Sequence, residues 1–191
     1  MVIDLGTGDG AFVLATARAE PGTLAIGVDA DASRMAEASR RAARTGRKGG
    51  LPNTLFVASA VEALPAELCG LAHEVRVHLP WGSLLRGAAT PEPWFTTGLA
   101  RLLRPGGSAT LLLSATQGDA ASGIGPLDPC VLERLSAAYA TAGFDVIERR
   151  SAHAGDVTAA RSSWGKRLGA GRGRAAWLLR LRRSGGWLEP R

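Results

Sequence analysis

A chain of 191 residues with 46% hydrophobic content is long enough to bury one core, and it contains no run of 18 or more apolar residues that would span a membrane. Its two cysteines, Cys69 and Cys130, and its three histidines, His73, His78 and His153, fall at no metal-ligand or redox spacing, which argues against a disulfide scaffold and a zinc site. The net charge of +6 is uneven: nine Lys/Arg against one acid lie between Arg161 and Arg191, leaving about −2 on the other 160 residues.

Met1 leads directly into an apolar strand pattern with no leader ahead of it, so a cytoplasmic chain with reduced thiols is expected. One domain over 1–191 is expected, with 184–191 as a tail. Val2-Ile3-Asp4-Leu5 reads as a buried strand over 1–5, and Gly6-Thr7-Gly8-Asp9-Gly10 as a glycine-rich turn opening a helix over 10–19. That turn fits two cofactors. Gly6, Gly8 and Ala11 satisfy the dinucleotide fingerprint, but Asp4 and Asp9 would repel a pyrophosphate and would not repel the cationic S-adenosylmethionine. A second strand over 23–28 ends at Asp29, about 20 residues after the glycines, where a carboxylate accepts ribose hydroxyls.

A helix over 32–45 follows, with Gly46 at its C-cap, and then a strand over 54–58. The segment Phe56 to Pro65 resembles the stretch of methyltransferases that lies along the adenine ring, and Leu102 to Gly107 resembles their helix-to-strand turn. Further strands are expected at 74–79 and 108–114, with helices at 91–103 and 128–142, the last capped by Gly143. The late strands 144–151 and 175–183 are separated by a Ser/Gly/Arg-rich stretch with no crossover helix, which predicts an antiparallel pair. The fold class is therefore α/β: a Rossmann-like, mostly parallel seven-stranded sheet ending in an antiparallel hairpin, as in class I S-adenosylmethionine-dependent methyltransferases.

Two short stretches carry the most specific signal. Leu79-Pro80-Trp81-Gly82-Ser83-Leu84-Leu85 and Ser162-Ser163-Trp164-Gly165-Lys166-Arg167-Leu168 each set a tryptophan beside polar or basic residues, in a chain only 5% aromatic. Two such indoles in loops are candidates for plates that grip a flipped nucleobase. A core or edge role is the competing reading for either one. Ser83 has an alternative as a helix N-cap, and Glu62 as a solvated acid at a helix start. Besides the basic tail, Arg40, Arg44, Arg47 and Lys48 follow helical spacing and would project from one face beside the cofactor edge, which favours an RNA backbone as partner.

On these residues the chain resembles the 16S ribosomal RNA adenine-N1 methyltransferases of aminoglycoside producers and resistant bacteria. The resemblance runs through most of the chain. It is carried by Asp4 to Gly10, Lys48-Gly49-Gly50-Leu51-Pro52-Asn53, Leu79 to Leu85 and the segment around Trp164. It implies methylation of N1 of the decoding-site adenine at position 1408 on the assembled 30S subunit, and aminoglycoside resistance. S-adenosylmethionine would be held by Asp4, Gly6, Thr7, Gly8, Asp29 and Leu79, with Ala60, Val61 and Glu62 near its adenine. Trp81 and Trp164 would sandwich the target base while Ser83 and Ser162 orient the site. Arg167, Arg172 and Arg174 would join the helix cluster in contacting RNA phosphates. A monomer is expected. Members of the family carry a β-hairpin ahead of the first strand, whereas this chain begins inside that strand. Two other readings stay open at this point: a methyltransferase of small molecules, and a weakly active RNA- or S-adenosylmethionine-binding homologue.

Overall fold

The computed structural model describes residues 1–116, 123–162 and 174–184. The elements run β1 (Val2–Leu5), α1 (Ala11–Ala19), β2 (Ala25–Asp29), α2 (Ala32–Ala42), β3 (Thr54–Ala58), β4 (Ala72–His78), α3 (Gly82–Ala89), α4 (Pro93–Leu102), β5 (Leu103–Leu113), α5 (Pro129–Thr141), β6 (Phe144–Ser151), α6 (Ala154–Ala159) and β7 (Trp177–Arg183). The seven strands form one sheet in the order β3-β2-β1-β4-β5-β7-β6. The first five are parallel, and β7 enters antiparallel between β5 and β6. The predicted antiparallel ending is thus present.

β1 lies near the middle of the sheet and is buried along its whole length, as an apolar strand covered on both faces must be. Ile3, Leu5, Val75, Val77, Leu111 and Leu113 join Phe95, Leu99, Leu132 and Tyr139 in the main core. Tyr139 is fully buried, and its hydroxyl donates to the Ala88 carbonyl at 2.7 Å, tying α5 to the end of α3. Local signals start the helices. Asp31 accepts from Ser33 N at 3.0 Å at the head of α2, and Asp128 accepts from Val131 N at 2.8 Å ahead of Pro129.

Four expectations need correction. Helix α2 stops at Ala42, not 45, because Leu51 N turns back to donate to the Ala42 carbonyl; Gly46 opens a short 3-10 turn over Gly46–Lys48 and is no C-cap. Arg40, Arg44, Arg47 and Lys48 therefore do not share one helical face, although all four are exposed. Strand β5 begins at Leu103, not 108, but residues 104–107 loop out of its ladder with β4, with Gly106 at φ 72°, and regular pairing resumes at Ser108, so the expected turn is present as a bulge inside the strand's bounds. Helices α3 and α6 fall outside the expected helix ranges, α3 being foreseen only in the alternative of Ser83 as a helix N-cap: α3 has eight residues including Gly82 and Gly87, and α6 only six. By contrast Gly143, at φ 85°, sits just past the α5 C-cap Ala142 in the left-handed conformation that ends helices.

Candidate cofactor and base site

The order of strands reverses between β1 and β4, and a crevice opens at the carboxyl ends of the strands on either side of such a switch point. A cavity of about 480 Å³ lies there, a size suited to a cofactor. It is lined by the loop after β1 (Asp4 to Asp9), by Asp29 at the end of β2, by Ser59 to Glu62 after β3 and by His78 to Trp81 after β4. Every residue expected to hold the cofactor is in that lining: Asp4, Gly6, Thr7, Gly8, Asp29, Ala60, Val61, Glu62 and Leu79.

The loop after β1 is built to expose backbone. Gly6, Gly8 and Gly10 all have positive φ (76°, 58° and 70°), and a Cβ on Gly6 would come within 2.3 Å of the Leu84 side chain. Gly8 N donates to Asp29 Oδ2 at 2.8 Å and Asp31 N donates to Asp29 Oδ1 at 2.9 Å, so the second carboxylate is fixed by main chain and keeps lone pairs for the cavity. Asp4 is only 3% exposed. Its Oδ2 accepts from Thr7 Oγ1 at 2.6 Å, while Oδ1 is buried with no hydrogen-bond partner. A buried carboxylate oxygen without a partner, on a residue that lines a cavity, calls for a donor such as a cationic ligand. This donor set fits S-adenosylmethionine: an open acid for its ammonium end, a main-chain-held acid for its ribose and no cation in the glycine loop to attract a phosphate.

Trp81 stands at the cavity rim, 52% exposed, as the residue that caps α3. Since Trp81 holds the cap position, Ser83 falls inside the first turn and is not the N-cap; it faces the cavity instead. Glu62 lies exposed in a 3-10 turn over Val61–Ala63, at the cavity edge. Ser162 also lines the cavity. Trp164, Arg167 and Arg172 lie outside the described residues. Arg174 is half-buried; its Nε donates to Ser114 Oγ at 2.8 Å, near the cavity end of β5. No residue of the cluster from Arg40 to Lys48 lines the cavity. Asp31 and Arg34 at the start of α2 do, and the helix is about 16 Å long over its 11 residues, so its basic last turn lies away from that lining.

Several lining residues were not singled out in the sequence. Phe12, Arg34, His78, Trp94 and Arg161 all face the cavity. The Arg34 guanidinium lies 5.0 Å over the Trp81 ring and its Nε is 3.8 Å from Asp31 Oδ2. Asp31 titrates below its ordinary value because the Ser33 hydroxyl and amide donate to it. The signal for His78 was available: it directly precedes the Leu79-Pro80-Trp81 motif.

This sheet order, with the glycine loop after the first strand and an acid ending the second, defines a class I S-adenosylmethionine-dependent methyltransferase. The profile of the NpmA family, 16S rRNA (adenine(1408)-N(1))-methyltransferase, matches residues 1–182. A 16S rRNA (adenine(1408)-N(1))-methyltransferase of Streptoalloteichus hindustanus is 37% identical over 179 residues, covering 91% of this chain and 82% of that protein. Among solved structures, a tryptophan-to-alanine mutant of the 16S rRNA (adenine(1408)-N(1))-methyltransferase from Catenulisporales acidiphilia, with cosubstrate SAM, superposes with a TM-score of 0.88. It shares 33% identity and is matched over 100% of this chain and 88% of its own. The antibiotic-resistance methyltransferase Kmr shares 40% identity, with a TM-score of 0.80 over 97% of this chain and 87% of its own. The chain belongs to the 16S rRNA (adenine(1408)-N(1))-methyltransferase family, and it is an enzyme dependent on S-adenosylmethionine.

Proposed function

We propose that this protein methylates N1 of adenine 1408 of 16S rRNA in the assembled 30S subunit, as a cytoplasmic monomer, and so protects ribosomes from aminoglycosides that contact that base. The observation that carries the reading is the exposed indole of Trp81 at the mouth of the cavity lined by Asp4 and Asp29. When bound, S-adenosylmethionine supplies an electrophilic methyl group on its sulfonium. Asp4 would hold the ammonium end and Asp29 the ribose, so these two acids would position the cofactor for transfer. Trp81 offers one face for the flipped adenine, and Trp164 is assigned the other.

N1 of neutral adenine carries a lone pair and no proton, so the transfer needs no general base and the rate rests on positioning. Flipping a base out of its stack costs a few kcal/mol. Stacking returns about 1–3 kcal/mol per base, so two indoles offset much of that cost. Ser83 and Ser162 are assigned to orienting the reacting groups. Arg167, Arg172 and Arg174 are assigned to phosphates near the base. Arg40, Arg44, Arg47 and Lys48 would grip RNA at the far edge, a remote docking contact that positions without reading sequence.

The test is transfer of labelled methyl from S-adenosylmethionine to intact 30S subunits and to free 16S RNA, with reverse transcription to map the product. A single stop at the decoding-site adenine, on subunits only, is the expected result. Label on neither substrate, from protein that binds the cofactor, would overturn the reading in favour of a small-molecule acceptor.

A further inference from the structure

His78 ends β4 with its side chain only 8% exposed, and it lines the same cavity as Asp4. Its ring is held edge-to-face by Phe12 of α1, with centroids 4.5 Å apart. Its Nδ1 lies 3.4 Å from Asp4 Oδ1, and neither atom has a hydrogen-bond partner. Two buried polar atoms, side by side, unsatisfied and lining one cavity call for a shared donor. An ammonium group has three N–H donors and is small enough to serve both.

We infer that His78 is a second anchor for the ammonium end of the cofactor, acting with Asp4, and that it makes cofactor binding sensitive to acid. This rests on the reading of the cavity as an S-adenosylmethionine site. The neutral ring, with its proton on Nε2, presents a lone pair at Nδ1 beside the Asp4 carboxylate, so one ammonium bridges the two. The protonated ring carries a hydrogen on Nδ1. It then pairs with Asp4 Oδ1 itself and sets a positive charge against the incoming ammonium. Binding is therefore coupled to release of the proton that the ring holds when it pairs with Asp4.

The surrounding groups leave that coupling intact. Asp4 faces the ring from β1, the neutral Phe12 from α1 and the neutral Leu112 from its register partner β5. Arg76, two residues back on the same face of β4, is paired with Glu74 at 2.7 Å. Asp9, Asp29, Asp31, Arg34, Glu62 and Arg161 stand elsewhere around the cavity wall.

Calorimetric titration of the full chain, wild type and His78→Leu, with S-adenosylhomocysteine and with 5′-methylthioadenosine tests this. The second probe has the adenosine but no amino acid end. Wild type should bind S-adenosylhomocysteine more weakly at pH 5.5 than at pH 7.5, and hold 5′-methylthioadenosine equally at both. His78→Leu should bind S-adenosylhomocysteine roughly tenfold more weakly at pH 7.5, the effect of one hydrogen bond to a charged group. Its pH response should be flat, and unchanged 5′-methylthioadenosine binding would show that it folds. An unchanged pH response in the variant, or an equal acid loss for 5′-methylthioadenosine, overturns the role of His78 alone. Failure of the wild type to bind either nucleoside at any pH overturns the cofactor reading beneath it.

Discussion

At the scale of residues, the cofactor side of the site was legible because its determinants are local. A carboxylate at a strand end and glycines at positive φ are fixed by a few neighbouring residues, so Asp4, Gly6, Gly8 and Asp29 could be read in sequence and are found in the cavity wall. Arg34 could not be read in this way, since its importance arises when the fold brings α2 beside the Trp81 loop, and the place of His78 next to the Leu79-Pro80-Trp81 motif gains meaning only once the sheet sets β4 beside β1. Two substitutions test the local chemistry. Gly6→Ala should destabilise the fold by about 1–3 kcal/mol, combining a left-handed backbone with a clash against Leu84, and should weaken S-adenosylmethionine binding; thermal melts and titration measure both. Trp81→Ala should lower methyl transfer to 30S subunits by roughly tenfold or more, the loss of one stacking face, while changing cofactor affinity less than about twofold. Full activity in that variant would remove the indole from the base-binding role.

At the scale of elements, long periodic segments were predictable and short helices were not. Six residues in α6 and a glycine-bearing α3 carry too little apolar repeat to stand out, and both are held by tertiary contacts. α6 is stabilised at its start by Asp156, which accepts from His153 N at 2.6 Å and takes a two-pronged contact from Arg150 at 2.6 and 3.0 Å. The Arg150 guanidinium holds the Asp156 carboxyl at about 2, below its ordinary 3.8. A depressed carboxyl stabilises the fold when ionised, so this contribution is complete above about pH 4 and is lost as pH falls through about 2. Asp156→Asn should cost about 1 kcal/mol, allowing for solvent screening of a partly exposed pair. It should also speed amide exchange across residues 154–160 and flatten the acid limb of the stability profile in that window.

At the scale of the whole molecule, sheet order is the property least accessible to sequence. The alternation of strands and helices pointed to a doubly wound sheet, but the insertion of β7 between β5 and β6 depends on pairing between segments far apart in the chain. Charge distribution, in contrast, needs no fold to be read. The excess of base beyond Arg161 and the exposed cluster from Arg40 to Lys48 predict that binding to 30S subunits weakens by roughly tenfold or more between 50 and 200 mM salt, as phosphate contacts release counterions. Cofactor affinity over the same range should shift less than about twofold. Filter binding and calorimetry in matched buffers separate the two.

Leu79 is not glycine, yet its φ is 47°, and its N–H donates to the Leu112 carbonyl at 2.7 Å. Its side chain is buried with Leu112, Ala160 and Ala176, so the residue two before Trp81 packs against the end of α6, two residues before Ser162. One leucine thus serves as a common axle for two banks of the cavity, the segments that lead to Trp81 and to Ser162. Leu79→Gly relaxes the backbone and removes the axle, so it should impair methyl transfer more than it impairs folding. In a double-mutant cycle, Leu79→Gly and Ala160→Gly should be non-additive in transfer rate by about 0.5–3 kcal/mol, the range for residues in contact. Additive losses would mean that the two banks move independently.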